Sequence, residues 1–247
     1  MLGGSSGLGK ASATVLANEG ARVAISARGE DKLRSVADAI GGSAFPLDVT
    51  DGDALAATAA RIERELGGFD VLVANAGGPP PGRFDEFDEA ALYDAFTLTT
   101  ASAWRATKVV LPSMRSRGGG AIVYITSITT KEIVDGLLLS NMMRAAVVGM
   151  AKTLSRELAA DGIRVVCVAP GHHDTPRVQQ LDAARAKTEN KPLQEIQSRI
   201  SASIPRGRLG DPLEFGNAVA FLASEAASFI SGVSLTVDGG QLRSMST

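Results

Sequence analysis

The chain has 247 residues, 45% of them hydrophobic, with a formal net charge of −2 and a pI near 5.8. That balance describes a globular α/β-sized unit with ample apolar material for a core; it gives no basic footprint for nucleic acid, and no stretch reaches the roughly 18 apolar residues of a membrane span. Cys167 is the only cysteine, which rules out an intrachain disulfide or a cysteine-based metal site, fits a reducing, cytoplasmic setting and reads as a small buried apolar side chain. Small molecules are the expected partners.

The first feature in chain order is Gly3-Gly4-Ser5-Ser6-Gly7-Leu8-Gly9-Lys10, a glycine-rich turn running into a helix. Glycines at 3, 7 and 9 let backbone N–H groups approach a pyrophosphate without a Cβ in the way, and the helix presents the positive end of its dipole to that charge. Such turns hang from the central strand of a parallel sheet, and none stands in front of this one. A strand of about 5 to 10 residues is therefore expected ahead of Met1, because without it two neighbouring strands would face each other unpaired.

Residues 21–26, 43–48, 71–74, 121–126, 164–168 and 234–237 read as strands. Between them Leu55, Ala59, Ile62 and Leu66 repeat at helical spacing, as do Val147, Ala151, Leu154 and Leu158, and later Phe215, Val219 and Leu222. The alternation predicts one doubly wound α/β domain over residues 1–247, a parallel sheet with helices on both faces. The polar stretch 177–203 interrupts it just after a strand end, where a substrate-covering lid would sit.

A glycine pattern alone is a weak signal; its companions give it weight. Asp48-Val49 closes one strand, Asn75-Ala76-Gly77 follows the next, Ser127 and Pro170-Gly171 follow the two after that, and Val237-Asp238-Gly239-Gly240 lies near the end. As an ordered set over essentially the whole chain these motifs resemble the short-chain dehydrogenase/reductase family, its 3-oxoacyl-carrier-protein-reductase-like members included. The resemblance implies a single Rossmann-type domain that binds NAD or NADP, acts on carbonyl or alcohol groups and assembles as a homotetramer or homodimer.

Carried over by position, Gly3, Ser5, Ser6, Gly7, Leu8 and Gly9 would hold the pyrophosphate. Asp48 would hydrogen-bond the adenine, with Val49 beside the ring, and Asn75, Ala76 and Gly77 would shape the floor near the ribose. Pro170, Gly171 and Thr175 would lie at the nicotinamide end, Thr175 at its carboxamide. Where an acidic residue would select NAD, Ala27 stands and Arg28 follows; this favours NADP over NAD, the alternative for Arg28 being a solvated loop charge. No metal site is expected.

The catalytic group departs from the family pattern. Its tyrosine, thirteen residues after the serine, and the lysine four further on correspond from Ser127 to Ser140 and Arg144. A shifted register offers no rescue, because the only tyrosines are Tyr93 and Tyr124. The family asparagine is also replaced, with Thr99 at the best-matched position. A phenol can be drawn toward neutrality by a neighbouring cation, whereas an alkyl hydroxyl is a far weaker acid and a ring shorter. Arg144 could still reach the nicotinamide ribose but does not substitute for a pKa-tuning lysine.

His172 and His173, the only histidines, fall at the nicotinamide end. One of them could protonate substrate, directly or through a water on Ser127; the alternative is that both are loop residues bonded to backbone. Gly136-Leu137-Leu138-Leu139 suggests an apolar substrate mouth or core packing, and Arg206 and Arg208 a contact for an acyl carrier or a rim charge. Two functions follow: an NADP-dependent oxidoreductase with an atypical site, reducing a ketone or oxidising a secondary alcohol, or a catalytically silent NADP(H)-binding protein.

Overall fold

The computed structural model describes residues 1–244. Strands β1 (Ala24–Ala27) and β2 (Ser43–Pro46) form one parallel pair; β3 (Val71–Ala74), β4 (Gly120–Ile125), β5 (Ile163–Pro170) and β6 (Ser234–Val237) form a four-stranded parallel sheet in that order. The fold is the expected α/β arrangement, and all six expected strands are present, 71–74 and 234–237 with the expected ends and the other four with shifted ends. The strand expected at 43–48 stops at Pro46, because the chain turns around Asp48, whose Oδ1 accepts from the N–H and the hydroxyl of Thr50 at 3.0 and 2.8 Å. The one expected at 21–26 begins only at Ala24, since residues 21–23 border an opening with no strand alongside.

That opening lies between β1 and β3. Met1 and Leu2 occupy its end: Leu2 pairs with Ser26 in parallel and donates its N–H to the Val73 carbonyl at 3.0 Å, and Ser26 donates to the Met1 carbonyl at 2.9 Å. Beyond those two residues the facing strands enclose a cavity of about 360 Å³, lined by Leu16, Val23, Leu55, Ile62, Val71 and Val110 among others.

Helices cover both faces. In β4, Ile122 and Tyr124 point one way and Val123 and Ile125 the other, as the two-residue period of a strand requires. The first pair packs with Leu55 of α3 (Gly52–Leu66), Val110 and Met114 of α5 (Ser102–Ser116) and Val147 of α6 (Leu138–Glu157). The second pair meets Phe215, Val219 and Leu222 of α9 (Pro212–Ala223), each at most 1% exposed. Helix α1 (Gly7–Asn18) lies close against α9 at Gly216, where a Cβ would come 2.9 Å from the Ala11 carbonyl oxygen. On the outer pair of strands, α2 (Glu30–Ala39) buries Leu33 and Val36 against Val23 and Ile25.

Local chemistry sets the ends of these helices. Asp51 caps α3 by accepting the Ala54 N–H at 2.9 Å, and Gly67 at φ +83° ends it. Asp211 and Glu214 form a reciprocal capping box on α9, with Pro212 in its first turn. Residues after β5 form α7 (Pro176–Glu189) and α8 (Leu193–Ser203) across the stretch 177–203. Helix α4 (Glu89–Ala95) runs through a π-helical turn, Phe96–Ala101, into α5. Periodicity gives no sign of that turn, because one inserted residue in a helix leaves local propensity unchanged.

Candidate active site

The glycine turn is held by contacts that leave no room for side chains. A Cβ on Gly9 would stand 2.0 Å from the Gly3 carbonyl oxygen, and one on Gly3 would stand 2.5 Å from Asn75 Nδ2. Gly3 at φ +63° and Gly7 at φ +51° also adopt a backbone that favours glycine. Ser6 is the N-cap residue of α1 with its side chain making no cap bond, and the first turn carries no acidic residue. The N–H groups of that turn therefore remain available to an anion. Ser5 and Leu8 are half-buried beside them, Leu8 packing toward the α9 core.

Asn75 braces this turn: its Nδ2 donates to the Gly3 carbonyl at 3.4 Å. Its neighbours Ala76 and Gly77 follow at the end of β3, and no neighbouring atom lies within 4 Å of a Cβ built on Gly77. The Asp48 carboxyl is held below its ordinary range, first by the Thr50 backbone and hydroxyl, with Arg28 adding a weaker pull. Arg28 is exposed just past the end of β1, on the Asp48 side. Val49 is 9% exposed and packs into the core behind that loop. Thr175 is buried beside Gly7, and its hydroxyl caps α7 by accepting the Val178 N–H at 3.3 Å. The turn, Asn75 and Thr175 thus meet in one place.

At the other end, Ser127 Oγ accepts the Thr129 N–H at 3.2 Å and caps a single 3₁₀ turn. Its hydroxyl hydrogen has no acceptor among the described residues. Ser140 and Arg144 are half-buried on successive turns of α6, at spacing i, i+4. Arg144 Nη1 donates to the carbonyls of Ile125 and Thr126, both at 3.0 Å, which ties α6 to the end of β4, two residues before Ser127. Burial, and secondarily the charge of Arg177, push the Arg144 guanidinium down to about 10, still cationic at neutral pH. Tyr124 is not an alternative acid. It is 1% exposed, shares a hydrogen bond with Thr107 and is pushed well above its ordinary value by burial. Tyr93 is 60% exposed on α4.

The two histidines are turned to other partners. His173 is buried, its Nδ1 on the Gly171 carbonyl at 3.2 Å and its ring edge-on to Phe215 with centroids 5.5 Å apart; burial lowers its pKa. His172 Nδ1 is bonded to the Gln241 side chain. Neither touches Ser127, so the proton-donor role considered for them has no geometric support. Pro170 and Gly171 do close β5 beside them, and Gly171 packs on Asp238 so tightly that a Cβ would lie 2.6 Å away. Of the leucines before α6, Leu139 is core, 1% exposed against Ala95 and Met143, while Leu137 and Leu138 are half-buried. The segment Gly78-Pro79-Pro80-Pro81-Gly82 is pinned beside them, Gly82 donating to the Gly136 carbonyl at 2.7 Å.

Two site features come from packing: the setting of Thr99, which the sequence names only by position, and Arg177, which it does not single out. Thr99 sits in the π-helical turn, 6% exposed, with no partner for its Oγ1 among the described residues. It borders a cavity of about 20 Å³ with Asn75, Thr126 and Arg144, space for about one water. Arg177 lies across Gly78, where a Cβ would come 2.9 Å from its Nη2, and donates to the Pro79 carbonyl. Its place two residues after Thr175 was the available signal. Among the described residues no cluster of three metal-ligating side chains occurs, and no helix is long and apolar enough to cross a membrane.

The family profile described as enoyl-(acyl carrier protein) reductase matches residues 3–241. The chain is 35% identical over 244 residues to Oxidoreductase UcpA of Salmonella typhimurium, covering 96% of this chain and 91% of that protein. It is 38% identical over 244 residues to the cis-4-hydroxycyclohexanecarboxylate dehydrogenase of Sinomonas cyclohexanicum, covering 96% and 93%. The crystal structure of YwfH, an NADPH-dependent reductase involved in bacilysin biosynthesis, superposes with a TM-score of 0.93 at 32% identity, covering 99% of this chain and 97% of that one.

Proposed function

Because the chain belongs to the short-chain dehydrogenase/reductase family, we propose that it is an NADP-dependent oxidoreductase that interconverts a ketone and a secondary alcohol through an atypical active site. The observation that carries the cofactor half is the glycine turn, where the cradle around Gly3, Gly7 and Gly9 and the unblocked start of α1 fit a dinucleotide. Arg28 beside Asp48, with Ala27 in place of an acid, supports a 2′-phosphate. YwfH is described as NADPH dependent, in keeping with that choice.

When bound, the nicotinamide cofactor supplies or accepts a hydride at the substrate carbon. The residues of this chain do the rest. Gly3, Ser5, Ser6, Gly7, Leu8 and Gly9 hold the pyrophosphate, Asp48 and Val49 the adenine side, and Thr175 the far end. Ser127 orients the substrate oxygen, since its Oγ is fixed by the Thr129 N–H while its own O–H is free to donate. The Arg144 guanidinium, partly desolvated, stabilises developing negative charge on that oxygen electrostatically, and water supplies the proton that completes the alcohol, or takes it up in the reverse direction. Ser140, one turn away, lends a second hydroxyl or a water site.

A small-molecule carbonyl or alcohol is the substrate, apolar or acyl in its remainder, under a lid formed by α7 and α8 of this single domain. Exposed Tyr93, Phe96 and Trp104 on α4 and α5 support a homotetramer or homodimer, and a cytoplasmic location suits the lone buried thiol of Cys167.

Ser140 favours a second reading, a protein that binds NADP(H) without turning it over. NADPH consumption measured against a panel of ketones, 4-oxocyclohexanecarboxylate among them, separates the two. Turnover by the native chain is the expected result. Tight NADPH binding without turnover, with turnover appearing in the Ser140→Tyr, Arg144→Lys double variant, would establish the silent reading instead.

A further inference from the structure

Two arginines stand at neighbouring strand ends. Arg144 and Arg177 are 33 residues apart in sequence, yet Arg144 is bonded to the end of β4, at the Ile125 and Thr126 carbonyls, and Arg177 lies on Gly78 and the Pro79 carbonyl, just past the end of β3, the strand paired with β4; the charge of Arg177 also depresses Arg144. Three exposed arginines behave oppositely. Arg117 beside Asp70, Arg199 beside Glu189 and Arg208 beside Glu214 are each raised by a carboxylate within an ion pair. Among the described residues neither Arg144 nor Arg177 has such a partner, and hydrogen bonds engage only Nη1 of the first and only Nη2 of the second, all to backbone carbonyls.

Each guanidinium is also placed at some cost. Gly78 makes room for Arg177 by lacking a Cβ, and both side chains are half-buried. Desolvating two like charges side by side is unfavourable unless something compensates them. A planar guanidinium with open N–H groups is matched by a carboxylate, which accepts two parallel hydrogen bonds.

We propose that Arg177, with Arg144, forms an anion subsite at the hydride-transfer end, so that the substrate is a keto acid or hydroxy acid whose carboxylate lies against Arg177. This rests on the oxidoreductase reading above. It makes Arg177, on the first turn of α7, a specificity-determining residue: the charged substrate itself ties the start of the lid to Gly78 and Pro79.

The test is binding of 4-oxocyclohexanecarboxylate and of its methyl ester to the protein saturated with NADP+, which has no hydride to give the ketone, followed calorimetrically, with inorganic phosphate as the competing anion. The acid is expected to bind at least tenfold more tightly than the ester. Arg177→Gln should erase that difference, Arg177→Lys should keep part of it, and Arg156→Gln, an equal charge change on an exposed face of α6, should leave it intact. Equal binding of acid and ester, or a preference that survives Arg177→Gln, would overturn the subsite, as would binding of neither. Phosphate competing as strongly as the acid would show a free-phosphate site and count against a substrate carboxylate. NADP+ affinity, measured in the same samples, tests the oxidoreductase reading separately: its absence would sink that reading, whereas intact NADP+ binding without acid preference sinks only the subsite.

Discussion

The two ends of the candidate site are built on opposite terms. Around the glycine turn the contacts come from within the protein, and only the first N–H groups of α1 are left open: Gly9 lies under Gly3, Asn75 holds the Gly3 carbonyl, Thr175 presses on Gly7 and caps α7, and Thr50 fixes Asp48. At the catalytic end Thr99 Oγ1 has no partner among the described residues, Ser127 has a hydrogen to give, and two arginines share a neighbourhood without a carboxylate. A rigid, internally satisfied cradle suits a ligand of constant shape such as a dinucleotide. Unsatisfied polar groups wait for a ligand that supplies what the protein withholds.

Gly9→Ala should break the first half outright. A Cβ at 2.0 Å from a backbone oxygen cannot be absorbed by a rotamer change, so the turn must open. Loss of about 3 kcal/mol in urea unfolding and at least 100-fold weaker NADPH binding are expected; near-native affinity would show that the cradle is looser than its contacts imply.

A smaller effect comes from the opening between β1 and β3. Ala59→Leu on α3, at a position that lines the opening, should fill part of its 360 Å³. A gain of about 2 kcal/mol and tighter NADPH binding are expected, because Leu2 and Gly3 hang from this slot. An unchanged midpoint would mean that the slot does not govern the cradle.

The smallest expected change concerns His173. Burial holds its folded-state pKa below 6.5, so the unfolded chain takes up a proton first as pH falls. Its contribution to stability is complete above about pH 6.5 and is lost as pH drops from there through the folded pKa, at no more than about 1.4 kcal/mol per pH unit. His173→Gln should flatten that part of the stability profile without altering NADPH affinity. A loss of NADPH binding would place the histidine in the site after all.

Much of this was legible in the chain itself. The six strands and the order of motifs were read from alternation and spacing, and only their ends moved, at Pro46 by turn chemistry and at Ala24 by a missing neighbour. The motifs around the glycine turn, Asn75 and Thr175 are legible in the sequence, and in the fold Asn75 bonds to Gly3 while Thr175 lies beside Gly7. His172 and His173 were considered as acids, yet they point to Gln241 and Phe215. Adjacency to a functional loop does not tell which way a side chain turns.

The sequence determined what depends on near neighbours: strand and helix periods, caps, glycines whose backbone approach admits no Cβ, and the replacement of a phenol and an amine by Ser140 and Arg144. Tertiary structure alone decided what depends on distant ones. The π-helical turn that strands Thr99, the burial of Tyr124 against Thr107 and the meeting of Arg144 with Arg177 join residues that no local pattern relates. Charge acts through space and desolvation through packing, and neither is written in spacing along the chain.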